Sequence, residues 1–133
     1  MAGIRMNGRS TTYEMTDGAD RMQVNLSAYY LGRDLIIQLY NNNAHLGTVA
    51  MGEYDHEEAR ASVSVITRPG HGDNVIAQKI ALTVSKQIKG PTCVIAGIHI
   101  DNVTTDEIDQ IIERVDLLAV KLCKQMSQIN TIP

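Results

Sequence analysis

Phenylalanine and tryptophan are missing from the chain, and five tyrosines are the only aromatic residues among 133. A core must therefore be built from Ile, Val, Leu, Ala and Met, and there is little surface on which to stack nucleobases. Charge argues against nucleic acid from another side. The formal net charge is −3 and no run of Lys or Arg breaks the balance, so a phosphate backbone would find no basic track. A single phosphate is a different matter, since one Arg and one helix end can hold it. The two cysteines are too few for a disulfide scaffold. Cys93 falls in an apolar run and is expected to be buried, Cys123 lies in the last helical segment near Lys124, and both read as free thiols of a reducing compartment. No apolar run approaches a membrane span, and the opening MAGIRMNGRS lacks the hydrophobic core of a secretion signal, so a cytoplasmic protein is expected.

What is present is an ordinary globular composition, 44% apolar and 20% charged, over a length that suits one domain. Residues 1–20 read as a flexible polar leader with a short edge strand around Thr12–Met15, and residues 21–133 as a single domain. From Met22 onward Val24, Leu26, Ala28 and Tyr30 alternate with polar neighbours, the period of a half-buried strand. Gly32-Arg33-Asp34 turns the chain into a second strand, Leu35–Tyr40. Asn41-Asn42-Asn43 makes the next turn and a third strand is predicted over His45–Met51. An acidic loop, Gly52–Glu58, leads to a fourth strand containing Val63 and Val65, which Pro69 ends. These four strands are predicted to form an antiparallel meander.

Val75, Ile76, Ile80, Val84 and Ile88 recur at helical spacing up to Lys89, where Gly90-Pro91 stops the helix. Cys93–Ile98 is a short continuous apolar run, predicted to be a strand buried on both faces. In the last helix Ile108, Ile111, Ile112, Val115, Leu118 and Leu122 form a core stripe, which Leu117 and Val120 widen toward a further contact surface. The order β-β-β-β-α-β-α predicts an α+β fold, a two-layer, mainly antiparallel sheet with two helices on one face. The other face is left for solvent or a second subunit.

Chemistry concentrates in two loops. The first, Arg68-Pro69-Gly70-His71-Gly72-Asp73-Asn74, joins a strand to a helix. Its glycines let backbone N–H groups approach a ligand, the helix start offers unpaired donors, and Arg68 adds a fork for phosphate or carboxylate. A capped turn explains the same residues, with Asp73 as N-cap occupying those donors. In the second, Gly97-Ile98-His99-Ile100-Asp101-Asn102, His99 and Asp101 are two residues apart and face the same way, an imidazole beside a carboxylate. His45 is a third candidate. Together His45, His71, His99 and Asp101 would be donors for a metal, but their spacing matches no established metal motif, and His56 reads as solvated. No nucleophile has an assignable base, and the Gly-rich phosphate motifs are absent.

The succession LGRDL (Leu31–Leu35), AHLG (Ala44–Gly47), RPGHGD (Arg68–Asp73), AGIHID (Ala96–Asp101) and TTDEI (Thr104–Ile108) resembles the small D-type subunit of gallate and other hydroxyarylic acid decarboxylases, from about Arg21 to Lys124. Asn41-Asn42-Asn43 departs from the glycine common in that turn. The resemblance implies a dimeric, non-catalytic carrier of reduced prenylated FMN, with a fold similar to proteasome assembly chaperones and a UbiD-type decarboxylase as partner. The reading of the residues fits that role. The Gly-rich helix start, with Gly70, Gly72 and Asn74 beside Arg68, is expected to grip the flavin phosphate, and His71, His99 and Asp101 to contact ribityl or ring groups, with Asn102 and His45 as further cofactor-binding candidates. The competing expectation is an accessory enzyme subunit, a lyase or hydrolase, using His71, His99 and Asp101 as an acid–base or metal site.

Overall fold

The computed structural model describes residues 12–68 and 73–130. Alternating apolar positions give β1 (Thr12–Asp17), β2 (Val24–Leu31) and β3 (Asp34–Tyr40), with one 3-10 turn at Asp20–Met22. Then come β4 (Thr48–Asp55), β5 (Arg60–Thr67), α1 (Asn74–Ile88), β6 (Thr92–Gly97) and α2 (Thr105–Asn130). The edge strand expected within the leader is β1, and it runs on to Asp17, pairing antiparallel with β2. The α+β class and the mainly antiparallel sheet are as predicted.

The continuous meander is not. The strand order is β1-β2-β3-β6-β4-β5, with β6 inserted between the third and fourth strands, parallel to β3 and antiparallel to β4. The reason lies in the apolar run itself. A strand with almost no polar side chain gains most where both of its edges are paired, so it takes the middle and parts the two hairpin systems. Its faces are unequal, however. Thr92, Val94 and Ala96 are fully buried under the helices, whereas Cys93 and Ile95 are only half-buried on the open side. The expectation of burial on both faces fails there, and with it the expected full burial of Cys93.

Both helices cover one face. Ala28, Ile37, Val94 and Ala50 align across four strands in a single row, all inaccessible to solvent. Ala77, Ile80, Ala81 and Val84 of α1 and Val115, Leu118, Ala119 and Leu122 of α2 close over that face. Gly52 lets α1 come down onto β4, because a Cβ there would collide with the carbonyl oxygen of Ala81. The helix ends at Lys89, which adopts the left-handed conformation (φ 56°) that favours glycine and donates its N–H to the carbonyl of Ser85.

Two boundaries move in ways that matter for function. The third predicted strand begins at Thr48, not His45, so His45 stands in a loop. The acidic loop shrinks, because 52–55 continue β4 opposite 60–63 of β5. The turn that remains is held by Asp55, whose Oδ1 accepts from the N–H groups of Glu57 (2.9 Å) and Glu58 (3.2 Å). Two residues read as core are not core: Val75 is 56% and Ile108 45% exposed. Both sit in the first turns of their helices. No helix among the described residues is long and apolar enough to cross a membrane.

Candidate cofactor-binding site

Because β3 and β6 run parallel, with Tyr40 opposite Gly97, the chain leaves both strands at the same end of the sheet. The start of α1 lies at that end too, through Asp73 and its contact with Ile98. Loops at the carboxyl ends of adjacent parallel strands are where open sheets commonly bind ligands.

Asn41, the first residue after β3, fastens the loops together. Its Nδ2 donates to the carbonyl of His99 (2.7 Å) and its Oδ1 accepts from the N–H of His99 (3.1 Å), and the residue is buried. Below it, Gly47 donates to the carbonyl of Ala96 (3.0 Å). Gly97 leaves room for the main chain of His45, whose carbonyl oxygen a Cβ would strike. The result is that the rings of His45 and His99 lie 5.2 Å apart, tilted by 42°.

His99 Nε2 and Asp101 Oδ1 are 2.8 Å apart, as the two-residue spacing predicted, although β6 has ended and the pair belongs to a loop. Both side chains are open to water, so the pair contributes little to stability. Asn102 completes the turn in the left-handed conformation (φ 52°) and is exposed.

Asp73 overturns one expectation. It occupies the N-cap position of α1, yet its side chain makes no capping hydrogen bond. Its Oδ2 instead accepts from the N–H of Ile98 (3.3 Å) and lies against Gly47, where no Cβ would fit. Pinning β6 to the loop after β3 takes precedence over closing the helix end, and this carboxylate does not use up the donors of the first turn of α1.

Arg68 is also partly committed. Its Nη1 donates to the carbonyl of Leu46 (2.7 Å) and its main-chain N–H to Gly47 (2.9 Å), which ties it to the loop bearing His45. Asn74 is the first residue of α1 and half-buried. Gly70, His71 and Gly72 lie outside the described residues. The structure thus brings His45, His99 and Asp101 together and links Arg68 to them through Leu46. Among the described residues no three His, Cys, Asp or Glu side chains are arranged to hold a metal ion.

Two cavities flank His99, and His99 and Ile100 line both. One, of about 390 Å³, is apolar and opens between the first turns of α1 and α2, among Val75, Ile76, Ile98, Val103, Ile108 and Ile112. The other, of about 290 Å³, is polar and includes Arg21, Asn41, Asn43 and Asp101. Sequence reasoning missed this division. It also missed Asn41, which reads as a turn residue, and Arg21. The available signal was an apolar residue in the first turn of each helix, Val75 and Ile108.

The floor of the polar cavity is held by a charged clamp. Arg21 donates through Nε and Nη2 to both carboxylate oxygens of Glu107 (2.9 and 2.8 Å). Glu107 accepts in turn from the N–H of Thr104 (3.0 Å), while Thr104 Oγ1 accepts from the N–H of Glu107 (3.1 Å), a capping box at the start of α2. The Arg21 hydrogen bond, then that of the Thr104 N–H, pulls the Glu107 carboxyl from the ordinary 4.5 down to about 2. A carboxyl with a lowered folded pKa contributes stability above its unfolded pKa, and that contribution is lost as the pH falls. The urea midpoint of the wild type should therefore fall more steeply than that of Glu107→Gln between pH 4.5 and about 2. Parallel curves would remove the clamp from the account.

Comparison with known proteins gives a family and a fold. A family model described as a prenylated flavin chaperone LpdD-like domain matches residues 18–127. Among solved structures, a chain from the crystal structure of a novel chaperone complex for yeast 20S proteasome assembly is similar in fold. Its TM-score is 0.55 at 12% identity, over 90% of this chain and 95% of that one. No curated protein matches the chain.

Proposed function

Since the chain belongs to the family of prenylated flavin chaperone LpdD-like domains, we propose that it holds reduced prenylated FMN and hands it to a UbiD-type decarboxylase. It carries out no reaction on the flavin itself. The observation that carries this reading is His99, clamped by Asn41 between an apolar cleft and a polar cavity. A prenylated flavin has that same division, hydrocarbon on its ring beside the polar ring atoms and ribityl hydroxyls.

The phosphate goes to the start of α1. There Arg68 has further N–H donors beyond the one given to Leu46, and Gly70, His71, Gly72 and Asn74 supply the loop and first turn. His45, His99, Asp101 and Asn102 meet the polar edge of the ring or the ribityl hydroxyls. All four are exposed, which suits a protein that must release its cargo. Burial raises the pKa of both thiols, Cys93 and Cys123, and that works against a thiolate nucleophile in either place. The chain works in the cytoplasm as a homodimer. The uncovered face of the sheet, with Met51 and Ile66 exposed, receives the second subunit.

The test is anaerobic incubation with reduced prenylated FMN, desalting, and flavin absorbance of the protein fraction, followed by addition of an apo-decarboxylase. Retention and subsequent activation of the decarboxylase are expected. Retention should fall in Arg68→Ala, His71→Ala and His99→Ala, and full retention in all three would remove the site assignment. Turnover of a hydroxybenzoate by the chain alone would overturn the carrier reading.

A further inference from the structure

The apolar cleft beside His99 is lined in a way that an ordinary flavin does not require. Val75, Val103 and Ile108 keep 56%, 40% and 45% of their surface exposed at its rim, whereas Ile80 and Val115, farther along the same helices, are 1% exposed. Leaving three large aliphatic side chains in water is unfavourable unless something else covers them. At about 390 Å³ the cleft is of small-ligand size.

Its chemistry is equally selective. Apart from Asp73 and His99, every residue on its wall is Val or Ile, with no aromatic ring among them. Such a wall offers no flat platform for stacking a planar ring. Branched side chains interlock instead with a branched, three-dimensional hydrocarbon. A prenylated flavin differs from FMN by just such a group, a branched hydrocarbon joined to the ring.

We propose that this cleft reads the prenyl group and makes the protein choose prenylated FMN over FMN. The inference rests on the carrier reading above. The hydrocarbon lies against Val75, Val103, Ile108 and Ile112, and His99 marks the border at which polar contacts begin. Few carbon atoms distinguish the two flavins, and a hydrophobic pocket converts each into a modest factor, so the preference should be roughly tenfold or more.

The experiment titrates FMN and reduced prenylated FMN, anaerobically and separately, into the wild-type protein, into the double variant Val103→Ser/Ile108→Asn, and into Leu117→Asn. Leu117 is 50% exposed on α2 but outside the cleft. Thermal melts check that all three fold. The wild type should prefer the prenylated flavin, the double variant should lose most of that preference, and Leu117→Asn should keep it. A double variant that retains the wild-type ratio overturns the inference. So does one that keeps the ratio while failing to deliver flavin to the decarboxylase, since the cleft would then be a protein contact. If the wild type binds both flavins equally, the inference fails and the carrier reading stands. If it binds neither, the carrier reading itself has failed.

Discussion

Asn41→Ala is expected to lower stability by about 2 kcal/mol and to abolish flavin retention after desalting. The side chain makes two hydrogen bonds to the main chain of His99, one as donor and one as acceptor, and alanine leaves both backbone groups partly buried without these partners. For a domain of this size the loss corresponds to a fall in Tm of roughly 8 °C. The functional loss should exceed the structural one, because the freed loop carries His99 and Asp101 away from His45. Asn41→Asp separates the two bonds. It can still accept from the His99 N–H, but its second oxygen faces the His99 carbonyl, so stability should return only in part and only at a pH where the carboxyl is protonated and can donate. If Asn41→Ala retains flavin as the wild type does at a temperature where both are folded, the loop geometry is not what binds.

Gly97→Ala should be comparably severe, for the opposite reason. It adds an atom where the carbonyl oxygen of His45 already lies, and a backbone oxygen held by a loop cannot step aside as a flexible side chain does. Overpacking of this kind costs roughly 1–3 kcal/mol, and the displaced element is the one that presents His45. Gly52→Ala is the matched comparison. Its added carbon meets the carbonyl oxygen of Ala81, far from the histidine loops, and the fold should suffer similarly. Measured well below both melting points, Gly97→Ala should have lost flavin retention and Gly52→Ala should have kept it. Equal retention in the two would mean that the approach of His45 to β6 serves the fold alone.

Much of this architecture is legible without coordinates, since strands and helices announce themselves through local periodicity. The alternation from Val24 to Tyr30 and the stripe Ile111, Val115, Leu118, Leu122 need only neighbours within a few residues, and both lie where expected. The His99–Asp101 contact was legible for the same reason, being two residues apart. Ile108 and Val75 misled because periodicity reports which face of a helix is apolar but not whether anything lies beneath it.

By itself, then, the sequence determined the element order, the single helical layer and the contact of His99 with Asp101. All of these follow from short-range patterning. Only the tertiary structure decided that β6 separates β3 from β4, that Asp73 turns from its own helix to Ile98, and that Asn41 grips a histidine 58 residues away. Each of these is a choice among partners distant in the chain. Such choices are settled by which edges must be paired and which backbone groups must find a donor or acceptor once the core has closed. The loop of His99 and Asp101 was visible from the start, and the apolar cleft that opens beside it between two helix starts was not.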